Sequence, residues 1–240
     1  MYEKRTYRNL IKAGGLVSFG VSVKETDLWI CADRLLEDEA REYVFKIRGY
    51  IESYIQSHPG FLKTMKPWAV SGPAPLIVRE MAEAGIRADV GPMAAVAGAV
   101  AESVGKSLLA VSNEIIVENG GDIFLRLNRS FTYSIFAGKS PLSMRFGIRL
   151  DASGTSMAVC TSSATIGHSF SAGKADAVCV VSESCAVADA AATSICNQVS
   201  SDKEIQQAID YGKLIEGVSG IVVIAEGKIG IWGNVEIVQL

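Results

Sequence analysis

Apolar and polar side chains alternate from the start of the readable pattern. Leu16-Val17-Ser18-Phe19-Gly20-Val21-Ser22-Val23 alternates, and Leu28-Trp29-Ile30-Cys31-Ala32 follows the same period less strictly. Lys24-Glu25-Thr26-Asp27 between them predicts a four-residue loop and an opening antiparallel ribbon. The period then lengthens. From Glu37 to Ser57, Tyr43, Ile47, Tyr50, Ile51, Tyr54 and Ile55 fall on one helical stripe, which His58-Pro59-Gly60 ends. Phe61 to Val70 has no clear period and reads as irregular chain or short strand. A helix from about Pro75 to Ala84 follows, with Gly85 placed to terminate it.

The next helix, entered at Asp89-Val90-Gly91, is built from small residues: Ala94, Ala95, Ala97, Gly98, Ala99 and Ala101. Such a helix packs closely on a sheet, or lets a ligand reach its backbone. Its first turn, near Gly91, presents free N–H groups to an anion. Glu114 to Glu118 and Ile123 to Leu127 read as strands joined by Asn119-Gly120-Gly121-Asp122. More strands follow at Thr132 to Phe136, Arg145 to Leu150 and Met157 to Cys160. Ala177 to Val181 reads as a buried strand, leading into a helix capped by Ser182 or Ser184 that runs to about Gln198. A polar helix, Ser201 to Gly212, and a hairpin of Ile221–Ala225 with Lys228–Trp232 close the pattern. The sum predicts an α+β fold in one domain, a mainly antiparallel sheet or sheets with helices packed on them.

Composition narrows the classes. The 240 residues are 49% hydrophobic and 20% charged, as in globular chains. A net charge of −3 without a basic block argues against a nucleic-acid binder. The opening MYEKRTYRNLIKAGG has no apolar signal core, and Ala94 to Ala110 is too short to span a bilayer. A cytoplasmic protein is therefore expected. The five cysteines form no C-x-x-C pair and, with two histidines, read as buried reduced thiols rather than a zinc site.

Candidate chemistry gathers between Cys160 and Ile195. Thr161, Ser162, Ser163, Thr165, Ser169 and Ser171 offer hydroxyls among small residues. On the helix beyond, Asp189 and Thr193 lie one turn apart on one face. Two hard oxygens there make a partial site for Mg²⁺ or Ca²⁺. An acid early in a helix also complements the helix dipole with no metal involved. The Asn119–Asp122 turn is equally two-sided. Its glycines serve a tight hairpin, or bring main chain against a flat or anionic ligand between two oriented polar groups.

Taken in order, these segments resemble the ApbE-like family, whose characterised members are FAD-dependent protein FMN transferases. Asp89-Val90-Gly91 with its small-residue helix is similar to the family's Asp-Leu-Gly segment. Asn119-Gly120-Gly121-Asp122 resembles its Asn-x-Gly-Gly-Asp/Glu turn, with Glu118 where the family's Asn would fall. Thr161-Ser162-Ser163 resembles its Thr-Ser-Gly. His168 and Gly173 match single positions of its His-Ile-Ile-Asp-Pro-x-Thr-Gly loop, here lacking the Asp-Pro-x-Thr. Ala188-Asp189-Ala190-Ala191-Ala192-Thr193 is similar to its metal-binding Ala-Asp-x-x-x-Thr. Ala95 to Gly98 stands where the family has Lys-Gly. The small branch of ApbE-like proteins of about this length is the nearer match.

The resemblance implies a division of labour. Asp189 and Thr193 would hold Mg²⁺. Asp89, Gly91, Asn119, Gly120, Gly121, Asp122, Thr161, Ser162 and Ser163 would bind FAD. His168 would be the base that activates a Ser or Thr hydroxyl of an acceptor protein. Two other functions fit the same residues: a non-catalytic module binding a nucleotide or other small molecule, and a metal-dependent hydrolase of FAD.

Overall fold

The computed structural model describes residues 14–163 and 173–240. In chain order these form β1 (Val17–Val23), β2 (Thr26–Ala32), α1 (Glu37–Ser57), α2 (Pro59–Lys63), α3 (Leu76–Ala88) and, after a 3-10 turn at Pro92–Ala95, α4 (Val96–Leu108). Then come β3 (Ile115–Asn119), β4 (Asp122–Arg126), β5 (Ser130–Ser134), β6 (Phe146–Asp151), β7 (Ser156–Ser162), β8 (Ala177–Ser182) and α5 (Cys185–Asn197). A 3-10 turn at Asp202–Glu204, α6 (Ile205–Gly212), β9 (Val218–Ala225), β10 (Lys228–Gly233) and β11 (Glu236–Gln239) complete the chain.

Three layers result. An eight-stranded sheet in the order β1-β2-β3-β4-β7-β8-β9-β10 lies between the helices and a three-stranded sheet, β11-β6-β5. Every pairing is antiparallel. The middle strands are covered on both faces, and this explains their continuous apolar runs. Ile115, Val117, Phe124, Cys160, Val178 and Val180 face the helices, whereas Ile116, Ile123, Val159, Cys179 and Val181 face the smaller sheet. Each large side chain fully buried this way, such as Phe124 or Ile116, contributes roughly 2–3 kcal/mol of apolar burial. Among the described residues no helix is long and apolar enough to cross a membrane.

The expected α+β architecture is present, with several local corrections. The first loop has two residues, not four: Val23 pairs with Thr26, and Lys24 takes a left-handed φ of 52° to close the turn. The buried stripe of α1 is Ala40, Val44, Ile47, Ile51 and Tyr54, while Tyr50 faces outward. The chain after His58 continues directly into α2, whose Pro59 sits in the first turn, where its missing N–H costs nothing. Helix α3 runs through Gly85 to Ala88 and ends on Asp89, which takes the left-handed cap at φ 53°. Gly85 is instead required inside the helix, because a Cβ there would lie 2.8 Å from Val90 O. The short strand β11 escaped the pattern altogether.

Candidate functional site

Helices α4 and α5 cross at a contact that only small residues permit. A Cβ on Gly98 would stand 2.3 Å from Cys185 O and 2.9 Å from Asp189 Cβ. At this closeness each helix caps the other. The Gly98 amide donates to Asp189 Oδ2 at 2.9 Å. In return Glu102 Oε2 accepts from the Cys185 amide at 2.7 Å, the Ala186 amide at 3.4 Å and Ser184 Oγ at 3.2 Å. Ser184 is the N-cap of α5 and accepts from the Val187 amide, so of the two expected caps it is the one used. Orphan amides that a free helix would leave to water are thus satisfied by a carboxylate on the neighbouring helix.

Under this crossing lies the helix-facing side of the central sheet. The β3–β4 turn is formed by Gly120 and Gly121 at φ 69° and 110°, flanked by the paired Asn119 and Asp122. Both central residues at positive φ mark a primed hairpin turn, which accounts for the glycines without a ligand. Asn119 Nδ2 donates to Ala97 O at 3.0 Å and ties the turn to the start of α4. Asp122 is buried in the strand beside Cys160, whose Sγ lies 3.5 Å from that of Cys185. Two residues further along β7, on the same face as Cys160, is Ser162. Its residue is 7% exposed and its hydroxyl has no hydrogen-bond partner among the described residues.

The electrostatics are unbalanced. Burial pushes Asp122 well above the usual carboxylate range and the charge of Asp189 pushes it further, against hydrogen bonds from the Cys160 thiol and the Thr161 amide. Asp189 keeps partial access to solvent, yet enclosure by the surrounding chain raises it to about 7, opposed by the Gly98 and Ala97 amides. Burial also holds the Cys160 thiol well above its ordinary value and Cys185 at about 11, so both stay protonated at neutral pH. Among the described residues no group of three or more His, Cys, Asp and Glu surrounds a common point.

The structure therefore brings Asn119, Gly120, Gly121, Asp122, Ser162 and Asp189 to one region, with Thr193 buried one turn along α5. It gives other expected residues different work. The Thr161 side chain points to the opposite face, where Oγ1 meets Tyr133 Oη at 3.0 Å and Cys179 Sγ at 3.2 Å. Asp89 is exposed at the end of α3. Gly91 is buried against the main chain, where a Cβ would stand 2.0 Å from Thr64 O, and this close packing accounts for the glycine. The expectation of an anion at the first turn of the small-residue helix also changes, because Asp189 accepts the Gly98 amide there. Ser163 follows at the end of β7, and His168 lies outside the described residues.

Sequence reasoning missed Glu102 and Cys160. The usable signal for Glu102 was a lone acid one turn beyond Gly98 in a helix otherwise lean and apolar. Glu118, fully buried, accepts the Gly121 amide at 2.9 Å and so holds the turn from the far side of the sheet.

The family model described as AbpE bacteria matches residues 8–230. The chain belongs to this family. It is a member of the ApbE-like superfamily, in the small branch that includes the UPF0280 proteins. One of these, from Methanocaldococcus jannaschii, is 43% identical over 221 residues and covers 90% of both chains. Another, from Methanosarcina acetivorans, is 38% identical, with 89% of this chain and 85% of the relative aligned. The ApbE-like fold extends to solved structures. The apo Pseudomonas stutzeri flavinyl transferase ApbE superposes with a TM-score of 0.59 at 13% identity, covering 91% of this chain and 94% of its own. The flavin transferase ApbE from Vibrio cholerae gives 0.58 at 13% identity, covering 91% and 96%.

Proposed function

We propose that this chain binds the flavin nucleotide FAD with Mg²⁺ at the Asp122–Asp189 centre and transfers FMN to a Ser or Thr of an acceptor protein. The observation that carries the reading is the convergence of Asn119, Asp122 and Asp189, which are remote in sequence, in a fold shared with flavin transferases. The donor set suits the ion. Two carboxylates whose charges oppose each other, with hydroxyls nearby, are hard oxygens that favour Mg²⁺ over soft metals. A bound Mg²⁺ would supply charge neutralisation for a pyrophosphate.

The protein's own residues have the following parts. Asp189 and Thr193 would hold the cation, with Asp122 nearby on β4, and Asn119 ties the intervening turn to α4. Ser162, Ser163 and the Gly120–Gly121 main chain contact the nucleotide. His168 takes the proton as the acceptor oxygen bonds to the FMN phosphorus, the P–O–P bond breaks and AMP leaves. A second reading, flavin binding without transfer, is favoured by Ala95 to Gly98, a helix entry with no cationic side chain toward the centre.

The test is to mix purified protein with FAD, with Mg²⁺ or with EDTA, and to follow the flavin absorbance that co-elutes with the chain. Yellow protein in Mg²⁺ and colourless protein in EDTA is the expected result. Colourless protein at saturating FAD and Mg²⁺ overturns the reading. Steady release of AMP and free FMN without an acceptor would identify a hydrolase instead.

A further inference from the structure

Among the described residues the two sheets end on β1, β10, β5 and β11. The last three edges are guarded. β10 opens on Lys228, which pairs with Asp202, and its Gly230 lies under Ile205 at the start of α6. β5 has five residues, and β11 has four and opens on Glu236. Short strands and edge charges keep another chain from adding to a sheet. β1 has neither. Its seven residues, Val17-Ser18-Phe19-Gly20-Val21-Ser22-Val23, hold no charge and no proline, and they pair with β2 without a bulge.

The hairpin decides which main-chain groups of β1 are free. Its two-residue turn makes Val23 and Thr26 a hydrogen-bonded pair, so Val21, Phe19 and Val17 also bond toward β2. The N–H and C=O groups of Ser18, Gly20 and Ser22 point outward, away from the sheet. These three residues are exposed, and no described backbone group outside the hairpin bonds to them. Gly20 is not demanded by its own chain. Its φ is not left-handed, and a Cβ there would meet nothing closer than Leu28 O and Trp29 Cε3 at 3.8 Å, ordinary contacts. A mid-strand glycine weakens a strand and often marks the close approach of another backbone.

Turned end for end about Gly20, β1 matches itself. Val17 comes opposite Val23, Ser18 opposite Ser22 and Phe19 opposite Val21, with Gly20 facing its own copy. On the helix side apolar meets apolar, and Val17, 41% exposed, gains a partner. On the other side hydroxyls and glycines meet, with no like charges opposed. This register pairs the very residues whose main-chain groups point outward, so each free donor meets an acceptor. An unrelated strand could bond the main chain, but the match about a two-fold axis is what a second copy supplies.

We propose that β1 is a homodimerisation edge: two copies pair antiparallel through β1 about a two-fold axis at Gly20, giving one continuous sheet through both chains. This edge lies apart from the residues of the flavin-nucleotide reading, on β4, β7 and α5, and does not depend on it.

Sedimentation equilibrium of the intact chain, from micromolar to millimolar concentration, should show the mass rising from one chain to two. Hydrogen exchange locates the contact. The amides of Ser18, Gly20 and Ser22 should gain protection with concentration, whereas those of Phe19 and Val21 are protected throughout. Gly20→Lys sets two ammonium groups face to face at the axis and should weaken dimerisation by about tenfold or more. Gly20→Glu should do the same, and an equal mixture of the two variants should dimerise again. Thermal melts check that both are folded; if either is not, the wild-type exchange pattern decides. A chain that stays monomeric at millimolar concentration overturns the edge and leaves β1 to a strand of another protein. A dimer that Gly20→Lys leaves intact, that the mixture does not restore, or whose new protection falls outside β1 overturns it as well.

Discussion

The two ends of the α4–α5 crossing use the same device with opposite electrostatic outcomes. At one end Glu102 caps α5 and is met by two amides, a hydroxyl and the ammonium of Lys106. At the other Asp189 caps α4 through the Gly98 amide and faces a second buried carboxylate, Asp122. Both carboxylates satisfy helix amides, so capping by itself accounts for both being acids. Among the described residues only the first meets a basic side chain. The difference separates a structural acid, whose charge is balanced inside the fold, from one left with a surplus that a cation can take up.

The largest effect should come from a substitution that acts on both ends of the crossing. Gly98→Val drives a Cβ into Cys185 O and separates the helices, removing both caps. A loss of about 4 kcal/mol is expected from overpacking and lost caps, seen as a melting temperature lower by roughly 10 °C.

Next in size is the balanced end alone. Glu102→Ala leaves the buried Cys185 amide unpaired and should cost about 3 kcal/mol, measured by urea unfolding. Glu102→Gln keeps an acceptor and should cost about 1 kcal/mol. An alanine variant as stable as wild type would mean that the cap is unimportant.

The unbalanced end should respond with the opposite sign. Asp189 is held near 7, above the ordinary 3.8, so the folded state takes up its proton more readily than the unfolded state. The stability this contributes is complete below pH 3.8 and is lost as pH rises through about 7. Asp189→Asn cannot titrate and keeps an oxygen for the Gly98 amide. In EDTA its melting temperature relative to wild type should therefore rise from pH 5 to pH 8. Adding Mg²⁺ at pH 8 should stabilise wild type and leave the variant unmoved. A wild-type-minus-variant difference independent of pH would show that Asp189 does not titrate in this range.

The smallest effect belongs to Lys106, whose side chain is 53% exposed. Lys106→Ala should cost only about 0.5 kcal/mol, as a solvent-screened pair on one helix face does. A loss as large as that of Glu102→Ala would mean that the ammonium, rather than the amides, holds Glu102 in place.

Much of the framework was legible in the residues because periodicity reports which face of an element is buried. The limits of α1 match the sequence expectation at both ends, and β3, β4, β8 and β9 lie close to theirs. Legibility failed where conformation was set by contacts from elsewhere. Lys24 and Asp89 occupy left-handed positions that glycine or asparagine would have announced. Gly85 looked like a helix end but serves a close approach within the helix. The strand β11, four residues long, exists because β6 offers it an edge, not because its own pattern demands it.

The site divides along the same line. Asn119-Gly120-Gly121-Asp122 and Asp189 were readable as candidates because their local spacing carries chemical meaning. Sequence by itself determined the layered α+β pattern, the turn glycines and an acid one helical turn from Thr193. Only the tertiary structure decided that Asp122 and Asp189 act on each other, that Glu102 caps α5 across the crossing, and that Ser162 is buried without a partner among the described residues. The reason is physical: burial, hydrogen-bond satisfaction and the interaction of two charges depend on distances between strands and helices far apart in the chain, and no local pattern encodes them.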